Sequence, residues 1–371
     1  MMSKSGSAPA LITTGCPSSI GSEVVLKGIF GPPGARRPFA ERKKITAPLV
    51  LLGDCAQMLE TAHGLGYPRS LLTQLEGAVR ESWPDDKRKS LEPEETVLLQ
   101  VGEPLRSQDR KWGKISAAGG RAQLEYVETG FELVKQFGGA LVTAAVSKEA
   151  IARSGLSRAK RFRGHTEWLQ ELDGASYSSM CFWSERLTTS LVTTHIPLKK
   201  VSRAISPEGV CRAIVELTDL ILRTVGGRPQ IAVASLNPHA GEGRLLGGEE
   251  AELILPGIEA AKQLIGRRAK ILGPIGAETA YRKAVAGAYS GVVAMYHDQA
   301  TIPMKLIDFG GAVNVTQGLS IVRTSVDHGT AHDIAGRWQA DGRGLRSAVE
   351  LGVTLSNKKR RLALVESSAL R

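Results

Sequence analysis

Aromatic residues make up only 5% of this 371-residue chain, and cysteine occurs four times, at positions 16, 55, 181 and 211, with no C-x-x-C pair. Cysteines this sparse and scattered exclude a disulfide framework and suit a reducing compartment. No run approaches the ~18 consecutive apolar residues that a membrane-spanning helix needs. The N-terminal "MMSKSGSAPALITTG" is too short and broken in its apolar part for a signal peptide. A soluble, cytoplasmic protein is therefore expected, with no membrane partner. Nucleotide-binding fingerprints are missing too. There is no Walker A pattern, and "GEGRLLGGEE" begins like a dinucleotide fingerprint but carries Leu246 at the third glycine position. Zinc-finger spacing, RNP-like motifs and interleaved aromatics are also absent. The net charge of +11, gathered in residues 34–44, 158–163, 266–270 and 357–361, is accordingly read as solvated helix ends and loops that attract anionic substrates. A nucleic-acid footprint is the lesser alternative.

What the chain has in quantity is glycine, 41 residues, and short apolar runs alternating with amphipathic segments of helix length. Strands are expected at 10–14, 48–53, 96–101, 140–144, 190–195, 231–236, 269–273 and 291–296. Helices are expected between them, among others at 20–29, 54–64, 120–137, 207–224, 249–264 and 343–356. This alternation predicts an α/β architecture with a largely parallel sheet. The length exceeds the roughly 250–300 residues at which one core stops growing. With no clean linker, two interleaved domains are expected, residues 1–155 with 300–371 and residues 156–299. "GPPGARRPFAERKK" (31–44) and "ESWPDDKRKSLEPEE" (81–95) read as surface insertions.

The seven histidines are informative by position. His63 belongs to a helix C-terminus, where it meets the last carbonyls. His195 in "TTHIPL", His239 in "LNPHAGEG" and His297 in "MYHDQ" each come at or just after the end of a strand, where α/β sheets collect ligands. Three imidazoles so delivered resemble a catalytic metal site with open positions. A structural hydrogen bond at each strand end is the competing reading. The segment 310–336 combines Asn314, Thr316, Arg323, Thr324, Ser325, Asp327 and His328 with several glycines, and Arg323 among hydroxyls suits an anion clamp. "GCPSSIGSE" (15–23) could offer backbone N–H groups to a phosphate at a helix start.

The motifs "GHTE", "TTHIPL", "LNPHAGEG", "MYHDQ" and "VNVTQGLSIVRTSVDHGTA", in this order, resemble the 4-hydroxythreonine-4-phosphate dehydrogenase family of pyridoxal-phosphate biosynthesis, over about residues 10–356. "DHGTAHDIAG" also looks like the cofactor loop of isocitrate and isopropylmalate dehydrogenases. The resemblance implies that fold, with two interleaved α/β domains, a cleft between them and a homodimer sharing its active site. It implies that His195, His239 and His297 hold a divalent ion (Zn, Mg or Co) from both subunits. His165, Thr166, Lys305, Asn314 and Arg323 would bind a phosphorylated substrate. The loop Asp327, His328, Gly329, Thr330, Ala331, Asp333 and Ile334 would receive NAD or NADP.

The sequence departs from the family pattern at Cys16, Ser19 and Ser22 of the first loop, at Ala145 and Ser147, at Glu278, and at Ala300, which follows "HDQ" where glycine is usual.

The expected reaction is metal-dependent oxidation of 4-phosphohydroxy-L-threonine to 3-amino-2-oxopropyl phosphate, with decarboxylation. Asp298 would orient His297 or act as base, Lys305 would neutralise carboxylate or phosphate, and Glu278 or Lys148 are the other eligible bases. An erythronate or threonate 4-phosphate dehydrogenase is the alternative within the family, with a dihydrodiol dehydrogenase behind it. A metal-dependent phosphohydrolase is the alternative from another class.

Overall fold

The computed structural model describes residues 8–33, 45–83 and 91–369, with side chains to residue 358. The basic stretch 34–44 and the middle of the second expected insertion, residues 84–90, lie outside the described residues. Of the other basic clusters, Arg158 pairs with Glu128 and Arg161 with Glu171. Arg268 donates to the carbonyls of Ile265 and Leu264 at a helix end.

In chain order the strands are β1 (Ala10–Thr13), β2 (Leu49–Gly53), β3 (Val79–Arg80), β4 (Thr96–Gln100), β5 (Ala140–Thr143), β6 (Ser179–Trp183), β7 (Thr188–Leu191), β8 (Gln230–Ala234), β9 (Lys270–Ile275), β10 (Gly291–Ala294), β11 (Val313–Gln317) and β12 (Val322–Val326). The α-helices are α1 (Gly21–Phe30), α2 (Cys55–Leu65), α3 (Arg69–Gly77), α4 (Ala117–Phe137), α5 (Lys148–Ala152), α6 (His165–Asp173), α7 (Val201–Ala204), α8 (Pro207–Thr224), α9 (Leu255–Ile265), α10 (Ala277–Val285), α11 (His297–Asp308) and α12 (Arg343–Ala369). Two compact units result, Met1–Tyr177 with Leu319–Arg371, and Ser178–Gly318. Residues 156–177 fall in the first because α6 packs on α4. Residues 300–318 fall in the second because α11 runs through position 300 and β11 pairs with β6.

In the first unit the strands lie in the order β3-β4-β2-β1-β5-β12, and every pairing within it is parallel. Helices cover both faces. Gly130 of α4 lies against Leu141, Leu52 and Thr13, whereas Gly352 of α12 lies against Ala140, Val142 and Thr324. Leu141 and Val142 are consecutive on β5, so their side chains point to opposite faces and the two helices sandwich the sheet. A methyl at Gly130 would come within 2.7 Å of Leu141 Cδ1, which explains a glycine in mid-helix.

In the second unit the order is β11-β6-β7-β10-β8-β9. Here β7, β10, β8 and β9 run parallel, while β6 is antiparallel to both neighbours. Ile231, Val233 and Val293 meet Val210, Ile214 and Leu217 of α8 together with α9. Ala232, Ala234, Val292 and Ala294 meet the alanines of α10 and α11 on the opposite face. Segment 310–336, read as a ligand-rich loop, instead contains two strands. "VNVTQ" and "VRTSV" alternate β-branched and polar side chains, and residues 310–312, 318–321 and 327–336 are turn or loop.

Candidate active site

The strand order of the second unit brings three of the histidine-bearing segments to one edge. β10 lies between β7 and β8, all parallel, so the turns after them leave from the same end of the sheet. Pairing continues past the strands. Val192 N–H donates to the Ala294 carbonyl (2.9 Å) and Thr193 N–H to that of Met295 (3.2 Å). The Thr193 hydroxyl also donates to Met295 (2.7 Å). This zipper delivers His195 and His297 side by side, with ring centroids 5.4 Å apart. His297 is the first residue of α11, and its Nδ1 lies 2.7 Å from Asp298 Oδ1. A carboxylate on Nδ1 fixes the ring and leaves Nε2 as the outward donor atom, the arrangement that suits a metal ligand.

Gln299 ties the neighbouring turns together. Its Oε1 accepts from Met295 N–H (2.7 Å) and its Nε2 donates to the Ser235 carbonyl (2.9 Å). His239 sits in the turn after β8, with φ 51° and ψ 29°. Among the described residues no three of His, Cys, Asp and Glu gather closely enough to hold a metal ion. The donor chemistry of the His195–His297 pair fits a borderline transition ion.

The residues expected to bind an anion fall on both units. On the first, Arg323 of β12 is 3% exposed, lies in register with Leu141, and donates from Nη2 to Thr143 Oγ1 at 2.7 Å. Burial pulls its pKa down to about 10, opposed by Glu167, and the guanidinium stays cationic at neutral pH. His165 opens α6 half-buried, with its buried Nε2 lacking a hydrogen-bond partner. Burial, then the positive charges of Arg323 and Lys148, hold its pKa at about 3 against the pull of Glu167. The imidazole is therefore neutral at physiological pH. Thr166 follows it, half-buried. On the second unit, Lys305 is exposed on α11 and Asn314 of β11 has a buried Oδ1 with no hydrogen-bond partner.

Loop 327–334 lies on the first loop of the chain. Ile20 N–H donates to the Thr330 carbonyl (3.3 Å), and His332 Nδ1 faces the Ser18 carbonyl (3.4 Å). Ile334 packs on Ile20 and Val24 beside Ala331, whose φ is 43°. His328 Nδ1 meets the Gly329 carbonyl at 2.9 Å, and Gly329 and Asp333 are exposed.

Several departures from the family pattern acquire structural roles. Ser147 caps α5 through Ala150 N–H, and Ser19 bridges the Cys16 carbonyl and Gly21 N–H. Cys16 is 1% exposed and burial raises its thiol pKa, which disfavours a thiolate. Ala300 points into the second unit's core with Ala280 and Met304 and is fully buried. Glu278 is exposed and engaged by Thr279 and Arg282, contacts that hold its pKa below the usual carboxylate range. Gln299 and Glu250 were missed as parts of the histidine edge. The paired acids of "GGEE" were the available signal.

The family model for pyridoxal phosphate biosynthetic protein PdxA matches residues 45–352. The chain is 35% identical over 350 residues, 94% of its length and 96% of the relative's, to the 4-hydroxythreonine-4-phosphate dehydrogenase of Geobacter metallireducens. It is 40% identical over 250 residues, 67% of its length and 73% of the relative's, to the D-threonate 4-phosphate dehydrogenase of Cupriavidus necator. The crystal structure of the Klebsiella pneumoniae 4-hydroxythreonine-4-phosphate dehydrogenase superposes with a TM-score of 0.75 at 30% identity, covering 94% of this chain and all of that one. Strand-end histidines, buried arginine and loop 327–334 all fall inside the matched residues, and the chain belongs to the PdxA family.

Proposed function

We propose that the protein is a metal-dependent, NAD-linked dehydrogenase of a small 4-phosphorylated hydroxy acid. Its first substrate by this reading is 4-phosphohydroxy-L-threonine, oxidised at the hydroxyl to a β-keto acid that loses CO₂ to give 3-amino-2-oxopropyl phosphate. The observation that carries the reading is the His195–His297 pair, with Asp298 holding the Nδ1 of His297, at the strand ends of a chain of this family. His239 from a second copy of the chain would complete the ligand set. A divalent ion held there would lower the pKa of the substrate hydroxyl, and NAD bound at loop 327–334 would accept the hydride from that carbon. Arg323 stays cationic and His165 neutral, so together they can receive a phosphate or carboxylate without a second buried charge beside the guanidinium. Asp298, committed to orienting His297, is a positioning residue. Lys305 and Lys148 remain for neutralising charge or taking the proton, whereas the Glu278–Arg282 pair on an exposed helix face makes Glu278 a poor base.

Every exposed large apolar side chain among the described residues belongs to the second unit, including Ile302, Leu306 and Phe309 spaced along one side of α11. That stripe supports docking of a second copy at the histidine edge.

D-threonate 4-phosphate is the second reading, because relatives with either substrate name stand at similar identity. The test measures NADH absorbance with 4-phosphohydroxythreonine, erythronate 4-phosphate and threonate 4-phosphate, each with Zn²⁺, Mg²⁺ or Co²⁺. NAD reduction on one of these is expected. Phosphate release without NAD would transfer the protein to the hydrolases.

A further inference from the structure

The turn that carries His239 has an unusual backbone. Residues 239–243 have φ values of 51°, 53°, 78°, 41° and 62°, and Arg244 follows at 81°. Four of these six residues are not glycine, and the left-handed region is unfavourable for each of them. A left-handed run of this kind persists only where its surroundings over-determine it. The restraint comes from Glu250, 5% exposed, at the start of a π-type turn (Glu250–Ile254) that leads into α9. Its Oε1 accepts from Leu236 N–H (2.9 Å) and Asn237 N–H (2.8 Å), and its Oε2 from Asn237 Nδ2 (3.0 Å). The same carboxylate lies under Gly241, where a Cβ would stand 2.8 Å from Oε2. Glu249 supports the clamp by accepting from Asn237 Nδ2 (2.9 Å) and from Ser202 (2.7 Å).

We infer that Glu250 is a positioning residue, which holds the left-handed 239–244 turn and thereby sets the direction in which His239 presents its imidazole to a metal ion. The inference rests on the reading of His239 as a ligand. Glu250 reaches no reacting atom in this scheme. Losing it lets the non-glycine residues relax toward negative φ and swings His239 off its line.

The test compares full-length wild type with Glu250→Ala, Glu250→Gln and His239→Ala. Co²⁺ affinity is read by competition with a chromogenic chelator, and amide exchange of residues 236–246 is followed in the metal-free protein. Glu250→Ala is expected to weaken Co²⁺ by roughly 10–100-fold, the usual cost of losing a support behind a ligand, and to speed exchange at 236–246. Glu250→Gln keeps an acceptor for both backbone N–H groups and is expected to retain most of the affinity. Wild-type Co²⁺ affinity in Glu250→Ala, with His239→Ala impaired, overturns the inference. Wild-type affinity in His239→Ala overturns the ligand reading instead. Should Glu250→Ala fail to fold, Glu250→Asp decides: weaker Co²⁺ binding with unchanged melting supports the inference, and unchanged binding overturns it.

Discussion

His165 and Arg323 show how burial assigns protonation at single residues. Moving Arg323 into the first unit lowers its pKa without discharging it, and its field helps keep the adjacent imidazole neutral. Because the folded pKa of His165 lies near 3, below the ordinary 6.5, the unfolded chain takes up the proton first as pH falls. The stability linked to His165 is therefore complete above about pH 6.5. It is lost between there and pH 3, at up to about 1.4 kcal/mol per pH unit. Urea unfolding at pH 7 and pH 5 should show this slope, and His165→Asn should flatten it. At His297, replacement by alanine should remove Co²⁺ binding and turnover together, by more than the ~100-fold that a lost supporting contact costs. Full turnover with added NAD and metal in that variant would sink the ligand assignment. Ala300 predicts the opposite kind of result. Its methyl fills the core, so Ala300→Gly should cost about 1 kcal/mol or more in denaturant unfolding while substrate preference stays put. A changed preference would place position 300 in the site.

Among the elements, α1 shows what a helix start can anchor. Glu23 and Lys27 lie one turn apart, both buried, and pair at 2.7 Å. The Lys27 ammonium also donates to the carbonyls of Trp338 and Ala340, and Glu23 accepts from Ala340 N–H. Three hydrogen bonds thus pin the segment after loop 327–334 to α1. Trp338 itself, at φ 60°, packs edge-on to Trp112 with ring centroids 5.4 Å apart. Removing one partner strands a buried charge, so Lys27→Ala should destabilise the protein by about 3–5 kcal/mol in urea unfolding. Legibility in the sequence followed the same lines. Runs such as "PLVLLG" and "ALVTA" are apolar enough to announce β2 and β5, and the segment 207–224, with Ser206 as its cap, became α8 without adjustment. β11 and β12 stayed hidden because their partners β6 and β5 are distant in sequence and their polar residues imitate a loop. α11 stayed hidden because Pro303 interrupts its pattern.

For the whole molecule, the exposed apolar side chains of Ser178–Gly318 bear on the proposed docking of a second copy. If that docking holds, charged residues on the α11 stripe, Leu306→Glu with Phe309→Glu, should lower the mass seen in sedimentation to that of one chain. If the ligand set is completed by a second copy, Co²⁺ affinity should fall with it. A monomer that keeps wild-type Co²⁺ affinity would place the whole metal site within one chain.

The sequence by itself determined the α/β class and the family, and placed three histidines at strand ends, because apolar periodicity and short chemical motifs are local properties. The tertiary structure alone decided which histidines stand together, through the β7-β10 zipper. It also decided that Ala300 is core, that Glu278 is spent on Arg282, and that Glu250 underlies the turn of His239. Each of those depends on which strands become neighbours and which side of an element faces inward. That is settled by long-range packing, which no single segment of the chain encodes.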